Sequence, residues 1–466
     1  MYSRFRIGML IVLVLGIPGL VILNTPLDFS IGLLVLPLTT AVASALFIVR
    51  IVRNDIFQYM RLFFWSFVYV MFGIAPITQI GGSWFWPGQY QLLDIIFAYS
   101  LIWGGGFSYE VGYHWGWFRV IKVKKIFVGK RKKYISPGLW FAFIVWVIAF
   151  GVLFISRIQL GSFFTFWGEF EQGLNLNSVG SAFFNLFIRY LPLLATLWLI
   201  WDIKNIRLSL NSRFIYYFIL GLLLTIMMLT SNFRISSRWW FGTFVVSLIL
   251  SIWGDKRYLP MMLGVGFPVA FILVFPFLNI FRFRESYQNI QTFIASGNWL
   301  VQNLRNGDFD SLQQVMNIVK YVHFEGYTYG YQVLGLFTFW IPREIWLGKP
   351  LASGVIAASF LGYSFTNVSS PLWAEGYIDF GIFGTLLFLA IWGYVCNKLD
   401  ESFSYTYREK SVRAWWQIVL WFLVPAQQLV LRGSLFVAGN YILPGIIIMF
   451  LWHRFVRAKV TSNYNK

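Results

Sequence analysis

GLWFAFIVWVIAFGVLFIS, residues 138–156, carries no charged side chain from end to end. As a helix this stretch rises about 28 Å, close to the roughly 30 Å hydrocarbon core of a bilayer. A helix on a soluble protein needs a polar stripe to meet water, and this one has none. Just upstream, Arg119, Lys122, Lys124, Lys125, Lys130, Arg131, Lys132 and Lys133 crowd into 119–133. An apolar run behind a basic cluster reads as a membrane helix that begins in the cytoplasm.

Working outward, comparable runs predict helices near 7–24, 30–49, 62–80, 92–113, 182–201, 214–231, 238–253, 260–281, 376–397, 414–431 and 440–455. With 138–156 that makes an all-α, polytopic membrane protein of about twelve spans. The chain is 58% hydrophobic and 12% charged, with a mean hydropathy of +0.67. Soluble domains carry about a quarter charged residues, so a water-exposed fold is excluded. Trp84, Trp86, Trp239, Trp240, Trp253 and Trp452 stand at the ends of runs, where an interfacial belt belongs. The run after Arg4 and Arg6 lacks a small-residue cleavage pattern and reads as a retained first helix.

With both termini in the cytoplasm, 26 of the 37 basic residues lie inside and 11 outside. The reverse orientation would carry 119–133 across the membrane. A basic cytoplasmic face beside anionic lipid accounts for most of the net charge of +19, so no nucleic-acid partner is implied. Cys396 is the single cysteine and leaves no intramolecular disulfide. His114, His323 and His453 are too scattered for a zinc site.

The expected organisation is helices one to nine over 1–281, a large outer loop over 282–375, and three helices with a cytoplasmic tail over 376–466. Within the loop, 285–306 and 308–321 read as short amphipathic helices. The stretch 331–346 is apolar but holds Pro342 and Arg343, which suits a re-entrant or interfacial piece. Loops this long are usually functional.

Of the eleven outer basic residues, nine are arginine: Arg157, Arg189, Arg234, Arg238, Arg282, Arg284, Arg305, Arg343 and Arg432. Arginine grips phosphate with a planar fork, whereas lysine is a point charge. Each alone has an ordinary explanation in headgroup contact or pairing with a carboxylate. As a set they point to an anionic ligand at the outer surface. Phosphate beside lipid suggests a polyprenyl pyrophosphate, and no GxxxxGK[ST] nucleotide loop is present. Arg189 lies inside an apolar run, where arginine costs up to about 3 kcal/mol and needs a partner.

The stretches Ile341-Pro342-Arg343-Glu344-Ile345-Trp346-Leu347-Gly348-Lys349-Pro350 and Asn367-Val368-Ser369-Ser370-Pro371-Leu372-Trp373-Ala374-Glu375-Gly376-Tyr377-Ile378-Asp379-Phe380-Gly381 resemble the O-antigen polymerase family. Its members tend to carry Pro-Arg-x-x-Trp-x-x-Lys-Pro late in the long outer loop. The resemblance implies a membrane glycosyltransferase of the bacterial cytoplasmic membrane. Such an enzyme joins polyprenyl-pyrophosphate-linked oligosaccharide units without nucleotide sugar, metal or other cofactor. It further implies a chain-length regulator and a flippase as partners. Arg343 and Lys349 carry over by motif as pyrophosphate contacts. Arg282 and Arg284, just beyond the ninth helix, together with Arg234 and Arg238, extend that set by position.

The reaction requires a hydroxyl to attack an anomeric carbon as pyrophosphate departs, with a base to take the proton. Glu375 ranks first for that base, with His323 and Asp379 behind it. Glu325 and Glu285 lie on the same side. The alternatives are an O-antigen ligase, or a flippase or secondary transporter of lipid-linked oligosaccharide. Transporters place ionisable groups near the membrane midplane, whereas here helix centres read as nearly free of charge.

Overall fold

Hydrocarbon-length apolar segments satisfy their backbone internally as helices, and this chain does so throughout. In a computed structural model, residues 2–27, 31–53, 57–85, 87–118, 137–156, 160–165, 184–206, 209–281, 291, 299–338, 340–341, 343–409 and 414–462 are described; among them there is no strand. Among the described residues, nine helices are long and apolar enough to cross a membrane. These are α1 (Phe5–Asn24), α2 (Gly32–Arg53), α3 (Tyr59–Gly81), α4 (Leu92–Trp115), α5 (Gly138–Ile155), α6 (Leu186–Asn205), α7 (Leu210–Thr230), α14 (Leu372–Ser404) and α16 (Leu435–Phe455). α8 (Arg238–Trp253) and α9 (Leu259–Val274) are shorter apolar helices. α15 (Ala414–Arg432) holds Pro425 and the buried Gln427 and Gln428. The apolar segments expected as spans are helical over their described residues. The chain is a multi-pass membrane protein.

α3 is the hub, buried along its whole length. It packs against α2, α9, α14 and α15. α4 and the long part of α14 run side by side in the same direction. Gly112 leaves room for the Ala390 carbonyl and Gly393 for that of Tyr109. Small residues let backbones approach closely where lipid gives no hydrophobic drive between helices.

Charge is present inside the bundle, near the ends of its helices. Arg61 of α3 pairs with Glu110 of α4, which also accepts Trp65 Nε1 at 2.6 Å. Asp400 accepts the Met60 and Arg61 amides at 2.9 and 3.2 Å and the Tyr113 hydroxyl at 2.9 Å. A carboxylate on the first amides of a helix is a cap, so this cluster fixes where α3 begins. Arg189 finds its partners in carbonyls: Thr230 O at 2.8 Å and Ile235 O at 3.4 Å, around the end of α7.

Between α9 and α14 the described residues build four short α-helices on one end of the bundle, here called the loop face. They are α10 (Trp299–Leu304), α11 (Ser311–Glu325), α12 (Tyr331–Phe337) and α13 (Ser353–Phe360). Of the expected helix over 285–306, only α10 and Gln291 fall within the described residues. The 308–321 segment begins with a short 3-10 turn and continues as α11 to Glu325. Leu312, Val315, Met316 and Val322 of α11 are buried against α3, α4 and α14. Each such side chain withdrawn from water contributes about 1.5–3 kcal/mol, so α11 is part of the bundle's core. α12 lies on the start of α16, with Gly335 beside Phe436 and Gly439 beside Leu336.

The tenth expected segment begins earlier than its hydropathy indicates. Helix starts at Leu372, breaks at Phe380 and Gly381, and resumes. Gly381 has φ +64°, which only glycine adopts freely, and the Tyr327 ring fills the place its Cβ would take. The limb 372–379 folds back on the resumed helix: Thr385 Oγ1 donates to Trp373 O at 3.0 Å, and a Cβ on Gly376 would fall 2.5 Å from Gly384 O.

Candidate functional site

The turn Asn306-Gly307-Asp308-Phe309-Asp310 joins α10 to α11 and organises the loop face. Asn306 Oδ1 accepts the Asp308 amide at 2.9 Å, which turns the chain tightly and aims two carboxylates at two helix ends. Asp308 pairs with Arg238, the first residue of α8. Arg238 is 3% exposed, donates to Phe275 O at 3.0 Å and lies 4.7 Å over the Phe275 ring. Asp310 takes Arg432, the last residue of α15, at 3.1 Å and the Ser369 amide at 3.0 Å. Arg432 also donates to Gly307 O at 2.6 Å and Asp308 O at 3.0 Å. Both arginines thus anchor the turn to the membrane helices.

Above this turn opens a pocket of about 580 Å³. Amides line it, from Gln79, Gln302, Asn306, Gln313, Gln314 and Asn367. Trp84, Tyr363 and Phe365 supply aromatic surface. Arg305 and Asp310 are its charged lining residues. Arg305 donates to Thr78 O at 3.1 Å and lies 5.6 Å over Trp84, in space that Gly82 leaves open. Gln79 holds the turn through Phe309 O at 2.9 Å, and Gln313 donates to Phe85 O at 2.9 Å. Tyr90, Asn317 and Tyr363 form a hydroxyl–amide network behind the wall. Burial, and next the Tyr363 hydroxyl, push the Tyr90 phenol well above its usual value, so it stays a neutral donor.

Along α8 runs an apolar groove of about 430 Å³. Phe241, Phe244, Leu248, Ile252 and Trp253 of α8 face Met228 of α7 across it. Asn232 and Phe233 stand at the loop-face end, next to the half-buried Arg234. Phe233 packs on Phe281, the last described residue of the α9 arm, at 5.7 Å. The groove runs along α8, and the Arg238–Asp308 pair ties the start of α8 to the turn whose Asn306, Gly307 and Asp310 line the polar pocket.

The residues singled out from sequence fall in three groups. Arg282 and Arg284 lie outside the described residues. Arg238 opens α8 and pairs with Asp308, and Arg234 directly follows the groove residues Asn232 and Phe233 in the chain. Arg343, Lys349, Glu375, Asp379 and His323 do not line the pocket. Arg343 spans Lys349 O and Pro350 O at 2.8 Å each, and Lys349 Nζ donates to Ile341 O at 2.7 Å. Burial, and then the adjacent guanidinium of Arg343, hold the Lys349 ammonium below its usual value. These two cations close their own loop.

Glu375 is buried, and its carboxylate accepts the Leu435 amide at 3.1 Å beside the Ser353 and Ser370 hydroxyls. Asp379 caps the start of α12. It accepts the Gly330, Gln332 and Val333 amides at 3.0, 3.2 and 3.2 Å and the Thr328 hydroxyl at 2.5 Å. His323 is exposed near the end of α11, edge-on to Phe324. Among the described residues no three His, Cys, Asp or Glu side chains gather in a metal-holding group.

Sequence reasoning did not single out Asp310, Gln313, Gln314 or Tyr363, read Trp84 only as an interfacial-belt residue, and left Arg305 and Arg432 as members of a set. A usable signal was present: two aspartates flanking an apolar residue in an Asn-Gly turn between amphipathic helices.

The two-carbonyl grip of Arg343 has a direct consequence. Arg343→Lys is expected to loosen 338–350 although charge is kept, because an ammonium cannot span both carbonyls. Limited proteolysis should cut there at least several-fold faster than in wild type; an unchanged rate would show that the fork is not what closes the loop.

No family model matches this chain, nor does any curated protein or solved structure.

Proposed function

We propose that this protein polymerises polyprenyl-pyrophosphate-linked oligosaccharide units at the outer face of a bacterial cytoplasmic membrane. In this reading α8, α9 and α15 complete twelve crossings, both termini are cytoplasmic, and the loop face is external. The observation that carries it is an apolar groove along α8 together with an amide-lined pocket on the turn that Arg238–Asp308 ties to the start of α8. A lipid-linked sugar needs that sequence of environments: hydrocarbon for its tail, cations at the boundary for its phosphates, hydrogen-bonding groups for its sugars. Arg234 stands at that boundary, and Arg282 and Arg284 follow directly on Phe281 in the chain.

The chemistry is a displacement. The oxygen of an acceptor hydroxyl bonds to the anomeric carbon of a second unit, the carbon–oxygen bond to pyrophosphate breaks, and the carrier pyrophosphate departs. Boundary arginines offset charge building on the leaving group. Asp310, the one carboxylate among the pocket-lining residues, is the group placed to take the hydroxyl proton in this reading. Glu375 and Asp379 then act by positioning the loop face.

Purified protein given only the lipid-linked repeat unit should produce a ladder of longer lipid-linked glycans. A ligase would add one block to an acceptor lipid and stop. A transporter would leave the unit unextended in detergent. An unextended unit with folded protein would remove the polymerase proposal.

A further inference from the structure

The Pro-Arg-x-x-Trp-x-x-Lys-Pro stretch has no part in the proposed chemistry, because Arg343 and Lys349 close its own loop. That closure sorts the side chains of the loop. Lys349 is buried, with its ammonium on Ile341 O and 5.0 Å from the centre of the Phe436 ring. Four apolar side chains are left outside: Phe337, Trp340, Ile345 and Leu347 are 64%, 70%, 79% and 89% exposed. Trp340 Nε1 donates to Phe337 O at 3.1 Å, so that indole is satisfied without water. Large apolar groups gathered on one exposed loop mark contact with a membrane or another protein.

Height in the bilayer decides which. α12 and this loop rest on the first turn of α16, where a Cβ on Gly335 would meet both Phe436 and Pro350. Between Phe436 and Arg454, α16 carries no Asp, Glu, Lys or Arg and rises about 27 Å. α14 carries none between Ile382 and Lys398, a rise of about 24 Å. Both rises fall short of the roughly 30 Å of hydrocarbon, and tilt shortens them further. Gly330 beside the Phe380 ring and Tyr327 against Gly381 tie the start of α12 to that same level. Ile382 and Phe383 are exposed there, as lipid-facing residues of a spanning helix are. The apolar tips of the loop therefore continue a surface that lipid already covers. Glu344, exposed among them, sets the loop at headgroup level rather than deep in hydrocarbon.

We infer that α12 and the loop after it form a membrane-embedded lip, with Trp340, Ile345 and Leu347 inserted into the leaflet on the loop-face side. The Arg343 and Lys349 grips hold the lip shut and keep both cations on carbonyls while apolar tips face lipid. The partner is bulk bilayer lipid, and the inference stands independently of the saccharide reading.

The test reads depth directly. Cys396 is the single cysteine, so a full-length Cys396→Ala protein accepts one nitroxide at Trp340→Cys, Ile345→Cys or Leu347→Cys. Each labelled protein is reconstituted in vesicles of phosphatidylcholine and phosphatidylglycerol. Phe383→Cys, on the lipid-facing side of α14, and Gln302→Cys, exposed at the pocket rim, serve as references. Collision with oxygen relative to a water-soluble nickel chelate should be about fivefold higher at the lip than at Gln302→Cys, and should approach that at Phe383→Cys. A second measurement needs no label. The double variant Ile345→Glu with Leu347→Glu should lift the lip from the leaflet, so that protease cuts it at least several-fold faster in vesicles than in wild type. Lip labels that read like Gln302→Cys in folded protein would overturn the inference. So would wild-type cleavage of the double variant.

Discussion

Arg238→Ala is expected to lower the stability of the detergent-purified protein by about 3 kcal/mol or more. The guanidinium is buried and pairs with Asp308, whose side chain keeps about one fifth of its surface exposed. Removing one member of a buried pair typically costs about 3–5 kcal/mol, because the other charge stays behind uncompensated. Partial solvation of Asp308 keeps the expected loss near the lower end of that range. The Phe275 carbonyl and ring lose their cation as well. A paired replacement, Arg238→Met with Asp308→Leu, should recover most of the loss, since both desolvation penalties vanish together. Thermal melts of the three proteins decide this. A single variant within about 0.5 kcal/mol of wild type would mean that the pair does not hold the turn to α8.

Asp379→Ala should release α12 and the loop that follows it. Asp379 is 0% exposed and collects three backbone amides and a hydroxyl. A buried donor left without its acceptor costs about 1–3 kcal/mol, so even partial rehydration leaves a local loss of about 3 kcal/mol. Cleavage between 326 and 350 should accelerate by two orders of magnitude, in keeping with that energy if the opened state is what the protease cuts. Asp379→Asn is the informative partner. Oδ1 receives three of the four contacts, and an amide oxygen placed there preserves them, so protection should stay close to wild type. If Asp379→Asn keeps that protection and yet abolishes the ladder, Asp379 takes part in chemistry and the capping account is incomplete. Wild-type cleavage of Asp379→Ala would sink the anchor outright.

Residues 138–156 and their counterparts were legible because hydrocarbon length and the absence of charge are local properties. So was the need of Arg189 for a partner; of its partners Asn185 Oδ1 is local, at 2.6 Å, whereas the Thr230 carbonyl lies outside any sequence window around it. The resemblance around Arg343 and Glu375 drew attention to a part of the chain that carries many contacts. It did not reveal that Arg343 points back to its own loop or that Glu375 is sealed against the Leu435 amide.

What the sequence determined by itself is the membrane class, the helical segments and the excess of arginine on one set of connections. A run of apolar residues must become helix in lipid wherever it stands, so no distant partner enters that decision. Tertiary structure alone decided which charges are committed and which groups line the pocket. Asp310 and Arg432 are 122 positions apart in the chain, and Arg238 meets Asp308 across much of the loop face. A side chain's charge is written in its own identity. Its availability depends on what the fold brings within about 3 Å of it, because a donor already spent on a buried acceptor cannot be given to a ligand without leaving that acceptor unpaired.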